Sequence, residues 1–231
     1  MHPLFPELGL VVAAGGAGRR FGAGRNKLLE PWRGRPVFMH CLLELLPLVP
    51  PGHVVLVVPA AAAPLFRDAL DVAALSARVR LVTGGDERQD SVWNGVRALP
   101  PAATVVAVQD AARPQTTAAL LVACAESARR CGSGVAARRV TDTIKVAAVD
   151  GRVLQTPART TLWAAETPQV FRRDLLERAL AAARAGGWRV TDDAQAVEAL
   201  DEPVFLVENT APNPKITFAH DLSDHADRSD E

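Results

Sequence analysis

The sequence predicts an α/β protein, a Rossmann-like open, mostly parallel sheet flanked by helices, with a protruding β-arm. Three observations predict it. Short apolar runs such as 10–13, 53–58 and 104–108 alternate with longer Ala/Leu-rich runs of helical period, the pattern of successive βαβ units. Each apolar run ends in a polar turn that carries Gly or Asp. From residue 134 the texture changes to alternation, and Asp150-Gly151 then supplies a hairpin turn.

Taken in order, the strand 10–13 feeds a turn holding Gly15, Gly16, Gly18, Gly22 and Gly24. Residues 36–46 read as a helix, with Pro36 suited to its first turn. A strand over 53–58 is stopped by Pro59, and a helix follows over 60–75. A short strand at 79–82 leads through a Gly-Gly-Asp turn into a helix over 92–99, for which Ser91 is a candidate N-cap. The strand 104–108 precedes a long helix over 116–131, capped by Thr116 or Thr117. The arm occupies about 138–160 and is too small to bury both its faces, so a partner chain is expected against it. Residues 162–163 and 167–171 return to the sheet, followed by helices over 173–185 and 192–200. Thr191 is the expected N-cap of the second, with Asp192 and Asp193 at its positive dipole end. A last strand lies at 204–207, and the acidic tail 220–231 is expected to fray. One domain is expected to span 1–231.

Composition excludes several classes of function. Lys+Arg and Asp+Glu balance at 26 each, so no global positive field argues for nucleic acid, and any anion site must be local. Cys41, Cys124 and Cys131 have neither metal-ligand spacing nor a paired pattern, which points to a reducing, cytoplasmic setting. The N-terminus lacks the basic segment of a secretion signal, and no stretch reaches the roughly 18 apolar residues that span a bilayer. No membrane partner is expected.

The first turn is where chemistry enters. Glycines let successive backbone N–H groups converge on an anion, and Arg19, Arg20 and Lys27 add positive charge. The turn departs from the dinucleotide fingerprint, because Phe21 occupies the place of the third glycine. It also departs from the Walker loop, because Lys27 lies between Asn26 and Leu28. A polyphosphate nest and an ordinary strand-to-helix turn with surface cations both fit this loop alone. In an open α/β sheet the turns at the carboxyl ends of the strands gather on one rim, which brings the first loop beside the turns 84–91 and 110–114.

Those three turns, Ala14-Gly15-Gly16-x-Gly18-x-Arg20 with Lys27, Gly84-Gly85-Asp86-Glu87-Arg88-x-Asp90-Ser91 and Asp110-Ala111-Ala112-Arg113-Pro114, resemble the 2-C-methyl-D-erythritol 4-phosphate cytidylyltransferase family. Thr141-Asp142-Thr143-Ile144-Lys145, Thr167-Pro168-Gln169, Thr191-Asp192-Asp193-Ala194 and Lys215-Ile216-Thr217 extend the resemblance from about residue 8 to about 222. It implies transfer of CMP from CTP to the polyol phosphate with release of pyrophosphate, in the non-mevalonate isoprenoid pathway. An attacking phosphate is already anionic, so the chemistry needs preorganised cations and a divalent metal rather than a base. The resemblance assigns Arg20 and Lys27 to that work, with Mg2+ held mainly by the CTP phosphates. It assigns CTP to Ala13, Ala14, Gly15, Gly16, Gly18, Gly85, Asp86, Ser91, Asp110 and Ala111. It assigns the polyol phosphate to Asp110, Arg113, Thr141, Arg159, Thr167 and Lys215, with Thr143 open as the alternative to Thr141. Arg113 is open between pairing with Asp110 and binding phosphate. The arm would cross to a second subunit of a homodimer. A ribitol-5-phosphate cytidylyltransferase shares these turns, and a nucleotide-binding module without turnover is the reading from another class. Asn26, Gln109 and Pro214 stand where the family commonly has Pro, His and an apolar residue. Asp192-Asp193 reads as helix N-terminal carboxylates in preference to a metal pair, and His220-Asp221 with Asp224-His225 as an ordinary polar terminus.

Overall fold

In a computed structural model, which describes residues 5–15 and 26–224, the chain begins with β1 (Leu8–Ala13), fully apolar apart from Gly9 and buried over five of its six residues. A small hairpin, β2 (Pro31–Trp32) and β3 (Arg35–Pro36), precedes α1 (Val37–Leu45). It turns on Arg33 and Gly34, both at positive φ, and nothing in its length announces a strand pair. β4 (Val54–Val58) follows, then a single 3₁₀ turn and α2 (Ala63–Val72), where one continuous helix over 60–75 was expected. β5 (Arg80–Thr83) leads into α3 (Arg88–Ala98), and β6 (Val105–Asp110) into α4 (Ala118–Cys131). After β7 (Ser133–Arg139) comes the arm, whose paired part is β8 (Val146–Ala147) with β9 (Val153–Gln155). β10 (Trp163–Arg172), α5 (Arg173–Ala185), α6 (Asp193–Glu198), β11 (Leu206–Glu208) and the one-turn α7 (Asp221–Asp224) complete it. The tail expected to fray thus opens with a helical turn, and His225 lies outside the described residues.

Two caps differ from expectation for a physical reason. α3 starts at Arg88, not 92, because Glu87 and Asp90 form a reciprocal capping box in which each carboxylate takes the other's backbone N–H. Ser91 is therefore inside the first turn rather than at the cap. At α6 the cap is Asp192, whose carboxylate accepts from Gln195 N at 2.9 Å, while Thr191 donates to the Gln195 side chain. At α4 the choice falls on Thr117, which accepts from Leu120 N.

The strands form one seven-stranded sheet in the order β11-β7-β10-β6-β1-β4-β5. β10 pairs antiparallel with both its neighbours, and every other pair is parallel. Alternate residues of each strand face opposite layers. Leu10, Val12, Leu56 and Ala107 join the core with α1, α2 and α4, whereas Val11, Val57, Val106 and Val108 join the core with α3, α5 and α6. α3 approaches the sheet closely at Gly95, where a Cβ would come within 2.5 Å of Val11 Cγ1 and 2.8 Å of Val57 Cγ2.

The topology locates the site. From β1 the chain moves to β4 and β5 on one side, then crosses back to β6 on the other. Such a reversal opens a crevice beyond the carboxyl ends of the strands that flank it. Those ends are Ala13 and Asp110, which are partners in the β1–β6 ladder. Among the described residues no helix is long and apolar enough to cross a membrane. On the arm Ile144, Val146, Val149, Val153 and Leu154 are exposed.

Candidate active site

A cavity of about 260 Å³ opens at that crevice, lined by Ala13 and Gly15 from the first turn, Lys27, the 85–88 turn, Ser91, Asp110 and Lys215. Ala14 and Ala111 are buried behind it and tie the turns to the sheet: Ala14 N donates to Val57 O at 2.8 Å and Ala111 N to Ala13 O at 3.1 Å. Gly16, Gly18 and Arg20 lie outside the described residues.

The 84–91 turn is closed on itself. Gly85 N donates to Ser91 Oγ at 3.1 Å, and that hydroxyl donates to Glu87 O at 3.2 Å. A Cβ on Gly85 would stand 2.4 Å from Asp90 Cβ, so the turn admits only glycine there. Ser91 is buried on the cavity wall, whereas Asp86 is exposed at its mouth. Lys27 crosses from the end of the first loop to donate from Nζ to Ile216 O at 2.6 Å.

Asp110 is the electrostatic centre. Its Oδ2 accepts from Lys215 Nζ at 2.7 Å and lies 3.8 Å from Arg113 Nε, while Oδ1 is 3.6 Å from Arg88 Nη2. Burial works to raise the pKa of this carboxyl, but Lys215, Arg88 and Arg113 together hold it below the ordinary aspartate range. Its backbone N–H donates to Thr167 Oγ1 at 3.0 Å. Arg113 is committed mainly to the chain, donating from Nη1 to Asn213 O at 2.6 Å, and burial lowers its basicity. Thus the pairing with Asp110 exists but at long range.

Behind Asp110 a second cavity of about 280 Å³ is lined by Arg113, Glu166, Thr167, Gln169 and Asp192 and shares Arg88, Asp110 and Lys215 with the first. Asp110 and its cations form the partition between the two. Asn213 holds the far wall: its amide donates to Glu166 Oε2 and Thr167 O, and its Oδ1 accepts from Thr116. This network anchors the Pro214-Lys215 segment. Thr141 and Arg159 line neither of the two cavities that Asp110 separates. Both are exposed on the arm, where Arg159 Nη1 donates to Thr141 O at 3.1 Å.

Two residues escaped the sequence reading. Arg88 donates from Nη2 to Asp193 Oδ2 at 2.8 Å, and Asp193 is fully buried. The pair of carboxylates at 192–193 is therefore divided, Asp192 capping α6 and Asp193 serving Arg88. Burial opposes the charge on Arg88, yet Asp193 and Asp110 raise its basicity further. Burial also raises the Asp193 carboxyl, against the pull of Arg88. The only signal available was position, since Arg88 follows the Gly-Gly-Asp-Glu turn directly.

Among the described residues no group of three or more His, Cys, Asp or Glu could hold a metal ion. With Lys215 already on Asp110, the donor set suits a hydrated divalent cation carried on phosphate oxygens rather than one in a protein cage.

Residues 8–227 match the family model IspD, 2-C-methyl-D-erythritol 4-phosphate cytidylyltransferase. The chain belongs to this family. A cytidylyltransferase of that name from Trichormus variabilis is 40% identical over 214 residues, covering 93% of this chain and 94% of the relative. The crystal structure of the Thermus thermophilus 2-C-methyl-D-erythritol 4-phosphate cytidylyltransferase superposes with a TM-score of 0.77 at 29% identity, covering 94% of this chain and 96% of that one. The 4-diphosphocytidyl-2C-methyl-D-erythritol synthase of Anaerococcus prevotii superposes with a TM-score of 0.80 at 26% identity, covering 95% of each chain. Membership in this family of cytidylyltransferases accounts for the three turns that meet at the crevice.

Proposed function

We propose that the protein transfers the CMP moiety of CTP to 2-C-methyl-D-erythritol 4-phosphate, forming 4-diphosphocytidyl-2-C-methyl-D-erythritol and pyrophosphate in non-mevalonate isoprenoid biosynthesis. The observation that carries this reading, beside family membership, is the partition at Asp110: two cavities share Lys215 and Arg88 at one wall. One cavity suits the nucleotide and the other the attacking phosphate.

In this reading the 85–91 turn and the Ala13–Gly15 backbone recognise cytosine. The base asks for acceptors at its amino group and donors at O2 and N3, which peptide groups, Asp86 and the Ser91 hydroxyl can supply. Ala14, Gly16, Gly18 and Ala111 bring backbone close to the phosphates. A phosphate oxygen of the polyol substrate attacks the α-phosphorus, the bond to the β,γ-diphosphate breaks, and pyrophosphate carries away the charge. No proton needs to move. Lys27 and Arg20 stabilise the charge that builds on the α-phosphate and leaving group. A Mg2+ held mainly by the CTP phosphates would add Lewis-acid charge neutralisation. Lys215, Arg113 and Thr167 orient the attacking phosphate around Asp110. Thr141 and Arg159 reach a site from the arm of a second subunit. The exposed apolar arm supports a homodimer, and the free thiols and neutral overall charge support a cytoplasmic setting without nucleic acid.

The test is a pyrophosphate-release assay with CTP, Mg2+ and each polyol phosphate. Turnover with methylerythritol phosphate that stops on chelation and returns with Mg2+ is expected. A higher kcat/KM with ribitol 5-phosphate would overturn the substrate, and CTP binding without turnover of either would overturn the reaction.

A further inference from the structure

Arg88 and Asp193 lie outside the residues assigned above, yet they touch them. Arg88 Nη2 sits 2.8 Å from Asp193 Oδ2 and 3.6 Å from Asp110 Oδ1, and Asp110 Oδ2 accepts from Lys215 at 2.7 Å. A relay therefore runs from the first turn of α6 through the partition to Lys215. Its outer end is clamped. Gln169 Oε1 accepts from Asp193 N at 3.1 Å and Ala194 N at 3.0 Å, and Gln169 Nε2 donates to Asp192 Oδ2 at 2.8 Å. Gln169 stands two residues beyond Thr167 on β10, so the same strand holds the relay at Asp193 and at the Asp110 backbone.

Stability gives a poor account of this pair. Asp193 is fully buried and Arg88 only partly exposed, and replacing an ion pair removed from water by apolar residues of similar volume is often neutral or stabilising. Moreover, Asp193 Oδ1 is buried with no hydrogen-bond partner among the described residues, a cost that a structural contact would be expected to avoid. What the pair supplies is direction. A guanidinium beside a carboxylate tends to close into a two-bond fork. Asp193 draws Arg88 to itself and keeps it beyond hydrogen-bond distance of Asp110, which leaves the Asp110 carboxylate to Lys215.

We propose that Arg88 and Asp193 are positioning residues for cytidylyl transfer, acting through Asp110 to hold Lys215 at the partition between the two cavities. The inference rests on the function proposed above. Asp193→Asn should let Arg88 close on Asp110 and release Lys215. The expected result is a kcat lowered about tenfold or more with KM for CTP within about threefold, the split of a group acting in the transition state. Acetylation of Lys215 by an amine-reactive reagent, read by peptide mass spectrometry against Lys145 on the arm, should rise about threefold or more, in keeping with loss of a fixing contact. Adding Arg88→Met to Asp193→Asn removes the competitor, so Lys215 protection should return and kcat recover in part, a coupling that independent sites do not show. A single variant with wild-type kcat and labelling, or a double variant no better than the single, would overturn the proposal. Arg88→Lys keeps Asp193 paired and preserves the fold even where Asp193→Asn does not. It should lower kcat about threefold or more through loss of the planar fork, and a wild-type kcat there would also sink the idea. Turnover by the unaltered protein tests the proposed function, whereas the labelling needs no turnover and judges the relay alone.

Discussion

Single side chains set the charge pattern on which the proposed chemistry depends. Lys27 reaches the cavity, where its ammonium donates to the Ile216 carbonyl. Lys27→Ala should lower kcat about a hundredfold or more, the scale of one oxyanion donor, with a far smaller effect on the unfolding midpoint from loss of the bond to Ile216. Steady-state kinetics beside thermal unfolding separates the two. Asp110 behaves differently, because it is structural as well. Its carboxyl titrates below the unfolded value, so its contribution to stability is full above about pH 4 and is lost as pH falls through the folded value. Asp110→Asn should cost about 1–3 kcal/mol at pH 7, the range for bonds to a charged group, discounted for the partial exposure of Lys215. Urea titrations should show that gap narrowing only in acid. The thiols offer a check on burial. Burial pushes Cys41 and Cys124 up to about 12, while Cys131 is exposed. Alkylation at pH 8 should label one thiol per native chain and three in denaturant, because only the thiolate reacts.

At the scale of elements, what was legible depended on which force fixed each end. α5 was read over its full length because Leu175, Leu176, Ala179, Leu180 and Ala183 repeat on one face and charges fill the other. The start of α3 was misplaced because its cap is Glu87, an uncommon choice that works only with Asp90 reciprocating. The direction of β10 was also hidden, since a buried run reads the same both ways. At the site, the crevice turns were visible as glycines and acids, whereas the division of Asp192 from Asp193 was not. Whether a carboxylate at a helix start faces water or a half-buried guanidinium depends on a distant residue, here Arg88. Gly95 gives a test at this scale. Gly95→Ala gains about 1 kcal/mol of helix propensity but must push α3 off Val11 and Val57, at a cost of about 1–3 kcal/mol. A lower melting temperature is expected, and an unchanged or higher one would show that the helix can shift freely.

At the scale of the whole molecule, the proposed site is divided between a rim and an arm. Within one chain Thr141 and Arg159 meet each other and not the Asp110 partition. No pattern in a single sequence marks two residues as serving another copy, so the proposed division rests on the family resemblance. It makes a quantitative prediction. Lys27→Ala and Arg159→Ala proteins should each be nearly inactive alone. Mixed and allowed to exchange subunits, they should recover about one quarter of the wild-type rate, because half of the dimers are mixed and each mixed dimer assembles one intact site. Recovery near zero would mean that Arg159 serves its own chain. Sedimentation of the same mixture checks that exchange took place.

The neighbouring residues Lys215 and Ile216 carry one more consequence. The side chain of Lys215 binds Asp110, and the carbonyl of Ile216 binds Lys27. Two ammonium groups, one proposed for each reacting partner, are thus hitched to adjacent links of a single segment whose base is fastened by Asn213. A displacement of that segment therefore reaches both ammonium groups at once, Lys27 through the Ile216 carbonyl and Lys215 through its own backbone. A change at Asn213 is thereby felt on both sides of the Asp110 partition, even though neither cation touches Asn213 itself.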